Sequence, residues 1–387
     1  MTATNSEPRS WTINGDFLGL EQTGVARYGL EVTRALDALV TERHPLTRDL
    51  RLDLVTARKP PAGLLQSIPF HVVPEYSKPR LPQVWVQLQL PRHVRGGLLS
   101  FCNLAPIQIR RHIVCIHDLH TVTMPESYPL LFRLAHRAIL PILGRRARII
   151  TTVSNFVRDQ LAENGVAPAE KVVVTYNGSD HAERWSPTGS ATRTGPRPYV
   201  VCLGRKQKYK NGELIWRIAD QLDEIGIDIY MAGSVDQATL ETFGPKVPRN
   251  VRLLGRISDD DLAKVLSEAQ CFLFPSRIEG FGLPAVEAMA RGCPVVASTS
   301  PSLPEVCGGA ALFAGPDDPD AWMAAIRRLV CEPRLRESMT AAGYARARIY
   351  SWRRIAETYL ELMTRVDGSE ADEPRSAPGR LSQCKPR

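Results

Sequence analysis

The chain has 387 residues, 43% of them hydrophobic and 23% charged, and a formal charge of +8. Such a length exceeds one ordinary core and fits two domains of about 150 to 200 residues. The composition is that of a soluble globular protein, and no run approaches the roughly 20 apolar residues that a membrane span needs.

The first ten residues lack the apolar centre of a signal peptide, so the expected location is the cytoplasm. Cys102, Cys115, Cys202, Cys271, Cys293, Cys307, Cys331 and Cys384 lie far apart, several in apolar runs. They read as reduced core residues, with neither a disulfide framework nor a zinc site.

Short β-rich runs alternate with helical patterns, as expected of parallel sheets covered by helices on both faces. In the first half the predicted strands are Trp11–Asn14, Leu52–Thr56, Phe70–Val73, Leu98–Phe101, Ile113–Ile116, Ile149–Val153 and Val172–Tyr176. After the first of these, Thr23-Gly24-Val25-Ala26-Arg27-Tyr28 opens a helix that continues through Leu30, Val32, Leu36 and Leu39. Gly24 at its start fits close approach by a phosphate or an acceptor hydroxyl, and an ordinary helix cap fits as well.

From Lys78 to Arg148 eleven Lys and Arg face only two acids, Asp118 and Glu126. Within that segment Tyr128–Gly144 is an apolar helical pattern interrupted by Pro141, with Arg133, His136 and Arg137 on one face. Two readings are open. The patch rests on an anionic leaflet, where each basic residue adds about 1 kcal/mol, or it is a solvated face above a core helix. No zinc-finger, RNP or KH pattern supports a nucleic-acid partner. His117-Asp118 closes the strand ending at Ile116, a place where a lone His is more often structural than catalytic.

Asn177-Gly178 is a turn signal, and residues 186–198, rich in Pro, Gly, Ser and Thr, form the best linker in the chain. Beyond it the predicted strands are Tyr199–Leu203, Ile227–Ala232, Val251–Leu254, Cys271–Phe274, Pro294–Ala297 and Ala311–Phe313. Gly204-Arg205-Lys206-Gln207-Lys208-Tyr209-Lys210-Asn211 follows the first of them. Four cations at a carboxyl strand end suit a polyanion, although a solvated turn would look the same. Ser258-Asp259-Asp260-Asp261 contains an Asp-x-Asp pair but reads more simply as a helix cap with acidic first-turn residues. Leu335–Met363 is helical, and residues 367–387 have the composition of a disordered tail. There is no GxGxxG after a strand, which disfavours a dinucleotide-dependent dehydrogenase.

The most informative stretch is Glu279-Gly280-Phe281-Gly282-Leu283-Pro284-Ala285-Val286-Glu287, between a buried strand and a helix. Pro284 suits a first helical turn, and Gly280 and Gly282 let the backbone approach a ligand. The N–H groups of Phe281, Gly282 and Leu283 would face an anion at the positive end of the helix. The two carboxylates suit hydroxyls on either side of that anion. A sugar, a diphosphate and a ribose in a row make a nucleotide sugar; an ordinary strand-to-helix turn is the plain alternative.

The run Phe274–Ser298 is similar to the signature of retaining glycosyltransferases of the GT-B fold, family 4, with its Glu-seven-residues-Glu motif. The resemblance covers about residues 11–364 and is strongest from Gly204 to Glu305. It implies two Rossmann-like, doubly wound parallel-sheet domains facing a central cleft. The expected division is an acceptor-side domain over 1–185, a donor domain over 186–345 and a helix over 346–366 returning to the first domain. The resemblance puts Glu287 on the ribose and Glu279 on the sugar. It puts Arg205 and Lys210 on the diphosphate, with the loop of Gly280, Phe281, Gly282 and Leu283 around it. His117 would face the transferred sugar or leaving diphosphate, and Gly24 would line the cleft. Asp118 would hold the local turn, and Ser154 would stand on the acceptor side. Thr23 replaces a glycine common in relatives, Tyr209 an Arg, and Gly309 an Asp.

The function expected is transfer of a sugar to a glycan or lipid-linked glycan of surface polysaccharide. Thr23-Gly24-Val25-Ala26-Arg27-Tyr28 resembles a mannosyltransferase-like, polysaccharide-building branch, so GDP-mannose is the first donor to test, with UDP-glucose still open. The resemblance implies no metal and no cofactor, and the basic first domain agrees with contact at the inner face of the cytoplasmic membrane. A nucleotide-sugar-binding module without transferase activity is the alternative from another class, although both glutamates, both phosphate cations and His117 are present. A glycan phosphorylase would need pyridoxal phosphate, for which no feature speaks.

Overall fold

The computed structural model describes residues 8–21, 23–76, 82–235, 237–244 and 246–371. Lys78 and Arg80 of the basic segment, Cys384, and the tail from 372 onward lie outside the described residues.

The first sheet contains β1 (Arg9–Asn14), β2 (Leu50–Thr56), β3 (Phe70–Val72), β4 (Gly97–Ser100), β5 (His112–Cys115), β6 (Ile149–Thr152) and β7 (Val172–Val174). The second contains β8 (Tyr199–Leu203), β9 (Asp228–Ala232), β10 (Val251–Gly255), β11 (Phe272–Phe274), β12 (Val295–Ser298) and β13 (Ala311–Ala314). Every strand expected from the sequence is present, with ends displaced by no more than two residues. The orders are β3-β2-β1-β4-β5-β6-β7 and β10-β9-β8-β11-β12-β13, parallel throughout. In each sheet the order reverses beside the first strand, which opens a crevice at the carboxyl ends where such folds take ligands.

The helix Gly24–Thr41 starts where the Thr23 hydroxyl accepts the Ala26 N–H at 3.3 Å. It buries Tyr28, Val32, Leu36 and Leu39, the helical spacing legible in the sequence. One apolar core extends from the first sheet into the face of the second sheet that carries Phe281, Met289 and Ala297. The opposite face has its own core around Leu273, Ile218 and Trp322. A shared core on one side fixes how the two crevices face each other.

Three expectations are corrected here. The helical run over 335–363 is two helices, Pro333–Ala347 and Trp352–Ala371. They part because Ser179 of the first domain takes the carbonyls of Ala347 (from its hydroxyl, 2.8 Å) and Tyr350 (from its N–H, 3.0 Å), turning the chain. The second helix also runs past Val366 into the stretch read as a disordered tail. There Asp367 accepts hydrogen bonds from Arg9 Nε at 2.6 Å and Trp11 Nε1 at 3.0 Å, and pairs with Arg111. Finally, Leu130–Arg146 continues through Pro141, whose missing N–H removes only one helical bond. Of Arg133, His136 and Arg137 on one helical face, His136 is buried, with Nδ1 2.9 Å from the Phe132 carbonyl, while Arg137 is exposed.

No helix among the described residues is long and apolar enough to cross a membrane. Six of the cysteines are buried thiols, and Cys331 is exposed.

Candidate active site

The loop between β11 and the helix Leu283–Ala290 leads into the helix start that borders the cleft. Gly282 adopts φ +96°, open to glycine alone at no cost, and a side chain there would meet Leu303 at 2.4 Å. Pro284 falls in the first turn, as expected. No hydrogen bond among the described residues takes the N–H of Phe281 or Gly282, so both remain available at the helix start.

Gly280 serves a different purpose from the one its sequence context indicates. A Cβ there would stand 2.3 Å from the His117 carbonyl, so its smallness admits the first domain's backbone. Ser154 fastens the same contact. Its hydroxyl donates to the Gly280 carbonyl at 2.6 Å and accepts the Val157 N–H at 3.1 Å, capping the helix Asn155–Glu163. Ser302 Oγ donates to the Glu279 carbonyl at 2.9 Å. Glu305 accepts from Asn155 N at 2.8 Å, Asn155 Nδ2 at 2.7 Å and Tyr176 OH at 3.1 Å, closing the seam between domains.

Both motif glutamates are buried, Glu279 at 7% and Glu287 at 6% exposure. Lys210 Nζ stands 2.7 Å from Glu279 Oε1 and lies over the rings of Tyr209 and Phe274. The turn presenting it ends at Asn211, a left-handed residue whose side-chain amide donates to the carbonyls of Pro275 and Pro316. The first domain faces this pair with Tyr128, His120 and Asp118. The Tyr209 ring is buried and packs on His120 at 4.9 Å. Burial, with Asp118 and Glu279 adding to it, pushes the Tyr128 phenol up to about 12. Asp118 Oδ1 accepts the His120 N–H at 3.0 Å. Burial opposes its charge, yet His120 and His117 nearby hold Asp118 below the usual carboxylate range.

His117 is itself buried, with Nε2 2.7 Å from the Phe101 carbonyl and its ring edge-on to Tyr28. Burial disfavours its charged form, but Cys115, the Phe101 carbonyl and Asp118 outweigh that and raise its proton affinity.

A cavity of about 250 Å³ brings together Gly24, Arg205, Leu283 and Glu287 from both sides of the cleft. Arg27 spans it, bidentate to Asp259 at 2.7 and 3.0 Å and 3.6 Å from Glu287. The Asp-x-Asp pair is thereby accounted for. Asp259 holds Arg27, Asp260 accepts the Ser186 N–H, and Asp261 completes a capping box with Ser258 while accepting from Ser190, Ala191 and Thr192. Among the described residues no group of three or more His, Cys, Asp and Glu is arranged to hold a metal.

Sequence reasoning missed His120, Tyr128, His181 and Trp352. Each is a single residue on an irregular stretch or a helix start, and only the closure of the two domains brings them to the motif.

The family described as Glycosyltransferase Family 4 matches residues 23–183, and that described as Glycosyl transferases group 1 matches 197–332. The O-antigen chain mannosyltransferase B of Escherichia coli is 31% identical over 268 residues, covering 64% of this chain and 68% of that one. The chain is a family 4 glycosyltransferase. A GDP-mannose-dependent monoacylated alpha-(1-6)-phosphatidylinositol monomannoside mannosyltransferase of Corynebacterium glutamicum is 29% identical to this glycosyltransferase over 191 residues. That match covers 45% of the chain and half of the relative's length. Sucrose-phosphate synthase of Thermosynechococcus elongatus superposes with a TM-score of 0.67 at 18% identity, over 93% of this glycosyltransferase and all of that chain. The fold is GT-B.

Proposed function

We propose that the enzyme transfers mannose from GDP-mannose, with retention of configuration and without a metal, to a glycan or lipid-linked glycan of surface polysaccharide. One observation carries the reading: a single cavity joins Glu287, Arg205 and the helix start at Leu283 to Gly24 of the opposite domain. Glu287 takes the ribose hydroxyls. Arg205, Lys210 and the N–H groups of Phe281, Gly282 and Leu283 take the diphosphate. Glu279 takes the sugar hydroxyls, and Gly24 and His117 line the acceptor side. The mannosyl names of both relatives support the sugar, and one of those names supports the guanosine.

In the reaction the anomeric carbon–oxygen bond to the diphosphate breaks as an acceptor hydroxyl bonds to the same face. Its proton passes to the departing phosphate oxygen, giving the glycoside and GDP. Arg205, Lys210 and the helix start neutralise the charge that develops on the diphosphate, so the protein acts by positioning and electrostatics. No carboxylate is a covalent nucleophile in this scheme; a glycosyl ester trapped on Glu279 would refute it.

Thermal unfolding with GDP, UDP, ADP and their sugar conjugates, with and without magnesium, tests the reading. A ligand at a hundred times its Kd adds about 2.7 kcal/mol of stability. A shift confined to guanosine, lost in Glu287→Ala and indifferent to magnesium, is expected. Shifts with uridine alone would overturn the donor, and a requirement for magnesium would overturn the metal-free scheme.

The acceptor's lipid link is supported by the surface of Leu130–Arg146. Leu130, Leu131, Phe132 and Leu134 are exposed there beside Val122. At the other end Arg110, Arg145, Arg146, Arg148 and Lys171 line a basic cavity of about 400 Å³. Apolar side chains inserting between headgroups, with cations over anionic phosphates, would seat this helix on the membrane. Co-sedimentation with phosphatidylglycerol vesicles, weakened by Leu131→Glu and absent with phosphatidylcholine, is expected; equal recovery with both vesicles would sink it.

A further inference from the structure

Glu287 is held by His181, and His181 by Trp352, two side chains that the scheme above does not use. His181, in the turn Asp180–Arg184 ahead of the linker, is 1% exposed and places Nε2 2.8 Å from Glu287 Oε1. Trp352, first residue of the returning helix, directs its indole N–H to His181 Nδ1 at 2.9 Å. An indole N–H only donates, so Nδ1 is the acceptor and carries no proton. The one ring proton therefore sits on Nε2 and is donated to Glu287. Indole, imidazole and carboxylate form a chain with a single direction. The imidazole is further held by the rings of Trp185, at 5.5 Å, and Trp352, at 5.8 Å.

Arg27 Nε approaches the same carboxylate oxygen at 3.6 Å. The imidazole hydrogen bond and the longer guanidinium ion pair thus converge on Oε1, whereas Oε2 accepts no hydrogen bond from the described residues and Glu287 borders the cavity. We infer that Trp352 and His181 are positioning residues for Glu287, fixing Oε1 so that Oε2 meets the ribose hydroxyls of a nucleoside diphosphate. The inference rests on the ribose role proposed for Glu287. A flexible glutamate would lose rotamer freedom on binding; here the freedom is already removed before the nucleotide arrives. The arrangement also ties ribose affinity to the returning helix. Asp180 accepts the Trp352 N–H at 3.2 Å, so one short turn anchors that helix and, through the next residue, orients the donor-binding carboxylate.

The test compares calorimetric binding of GDP and 2′,3′-dideoxy-GDP, with the uridine and adenosine pairs in parallel. Wild type should prefer the ribose form by about 10- to 100-fold, the span of hydrogen bonds to a charged group. His181→Phe keeps a ring between the two tryptophans but removes the donor, and should reduce that preference to within about 3-fold, an order-of-magnitude expectation for loss of the oriented bond. His181→Gln, which returns an N–H near the Nε2 position, should restore most of it. Trp352→Phe should lower it partway while preserving the fold. Damage to the fold alone would weaken both nucleotides equally and leave their ratio intact. If wild type discriminates and His181→Phe and Trp352→Phe discriminate as well, the positioning role is wrong. If wild type shows no ribose preference with any base, the ribose contact of Glu287 is wrong and this inference falls with it.

Discussion

Lys210 and Glu279 form an ion pair at 2.7 Å, and both belong to the set that contacts the donor in the proposed reaction. With side-chain exposures of 22% and 9%, neither charge has enough water to stand alone. Lys210→Ala should therefore lower kcat/KM by about 100-fold or more and also destabilise the fold by about 1 to 3 kcal/mol, the cost of an unpaired part-buried charge. In the double variant Lys210→Met with Glu279→Gln, stability should recover above that of Lys210→Ala while activity does not. Denaturant unfolding alongside initial rates separates the two.

Gly280 meets the His117 carbonyl across the domain seam, and Gly309 has open space around it. Gly280→Ala should push the domains apart, lowering Tm by several degrees, about 1 to 3 kcal/mol, and reducing activity steeply. Gly309→Ala should leave both near wild type. Similar midpoints for the two variants would show that the seam has slack.

Arg27 and Asp259 join the domains through a bidentate pair. Asp259→Asn should weaken donor binding by loosening Arg27 beside Glu287, raising donor KM by about 10-fold, the scale of one charge-assisted bond. Magnesium and a chelator should change the rate of neither wild type nor variant. A chelator-sensitive wild type would return the aspartates to consideration as metal ligands.

His112 is fully buried, with Nε2 2.9 Å from Ser100 Oγ, and burial lowers its pKa from 6.5 to about 3. The native state keeps it neutral while the unfolded chain protonates it below about pH 6.5. This contribution is therefore intact above pH 6.5 and is lost as pH falls toward 3. The loss should reach about 2 kcal/mol near pH 5. His112→Asn should flatten that limb of the stability profile, whatever it costs at neutral pH. An unchanged slope would mean that another group dominates the acid limb.

The strands were legible because each is a short apolar run bounded by polar turns, buried on both faces. The Glu279–Glu287 loop was legible because proline and glycine mark its geometry locally. Gly280 was read as a place for ligand, although its neighbour is His117 carbonyl, more than a hundred positions away in the chain. The break before Trp352 escaped notice for the same reason. Ser351, a residue type that starts helices, stands just before Trp352, but the carbonyls at the break are taken by Ser179 on the other domain. His181 follows a recognised turn motif and carries no periodic signal, so only its partners Glu287 and Trp352 reveal a role.

The returning helix lays Tyr359, Leu360 and Met363, all fully buried, into the first domain's core, and Tyr359 reaches the Tyr28 hydroxyl at 2.9 Å. On the ribosome, the domain that emerges first is thus the one completed last. Its core stays uncovered until the second domain has been translated and the chain has come back to it, so a fragment ending at the linker would carry an unsealed apolar face into solution.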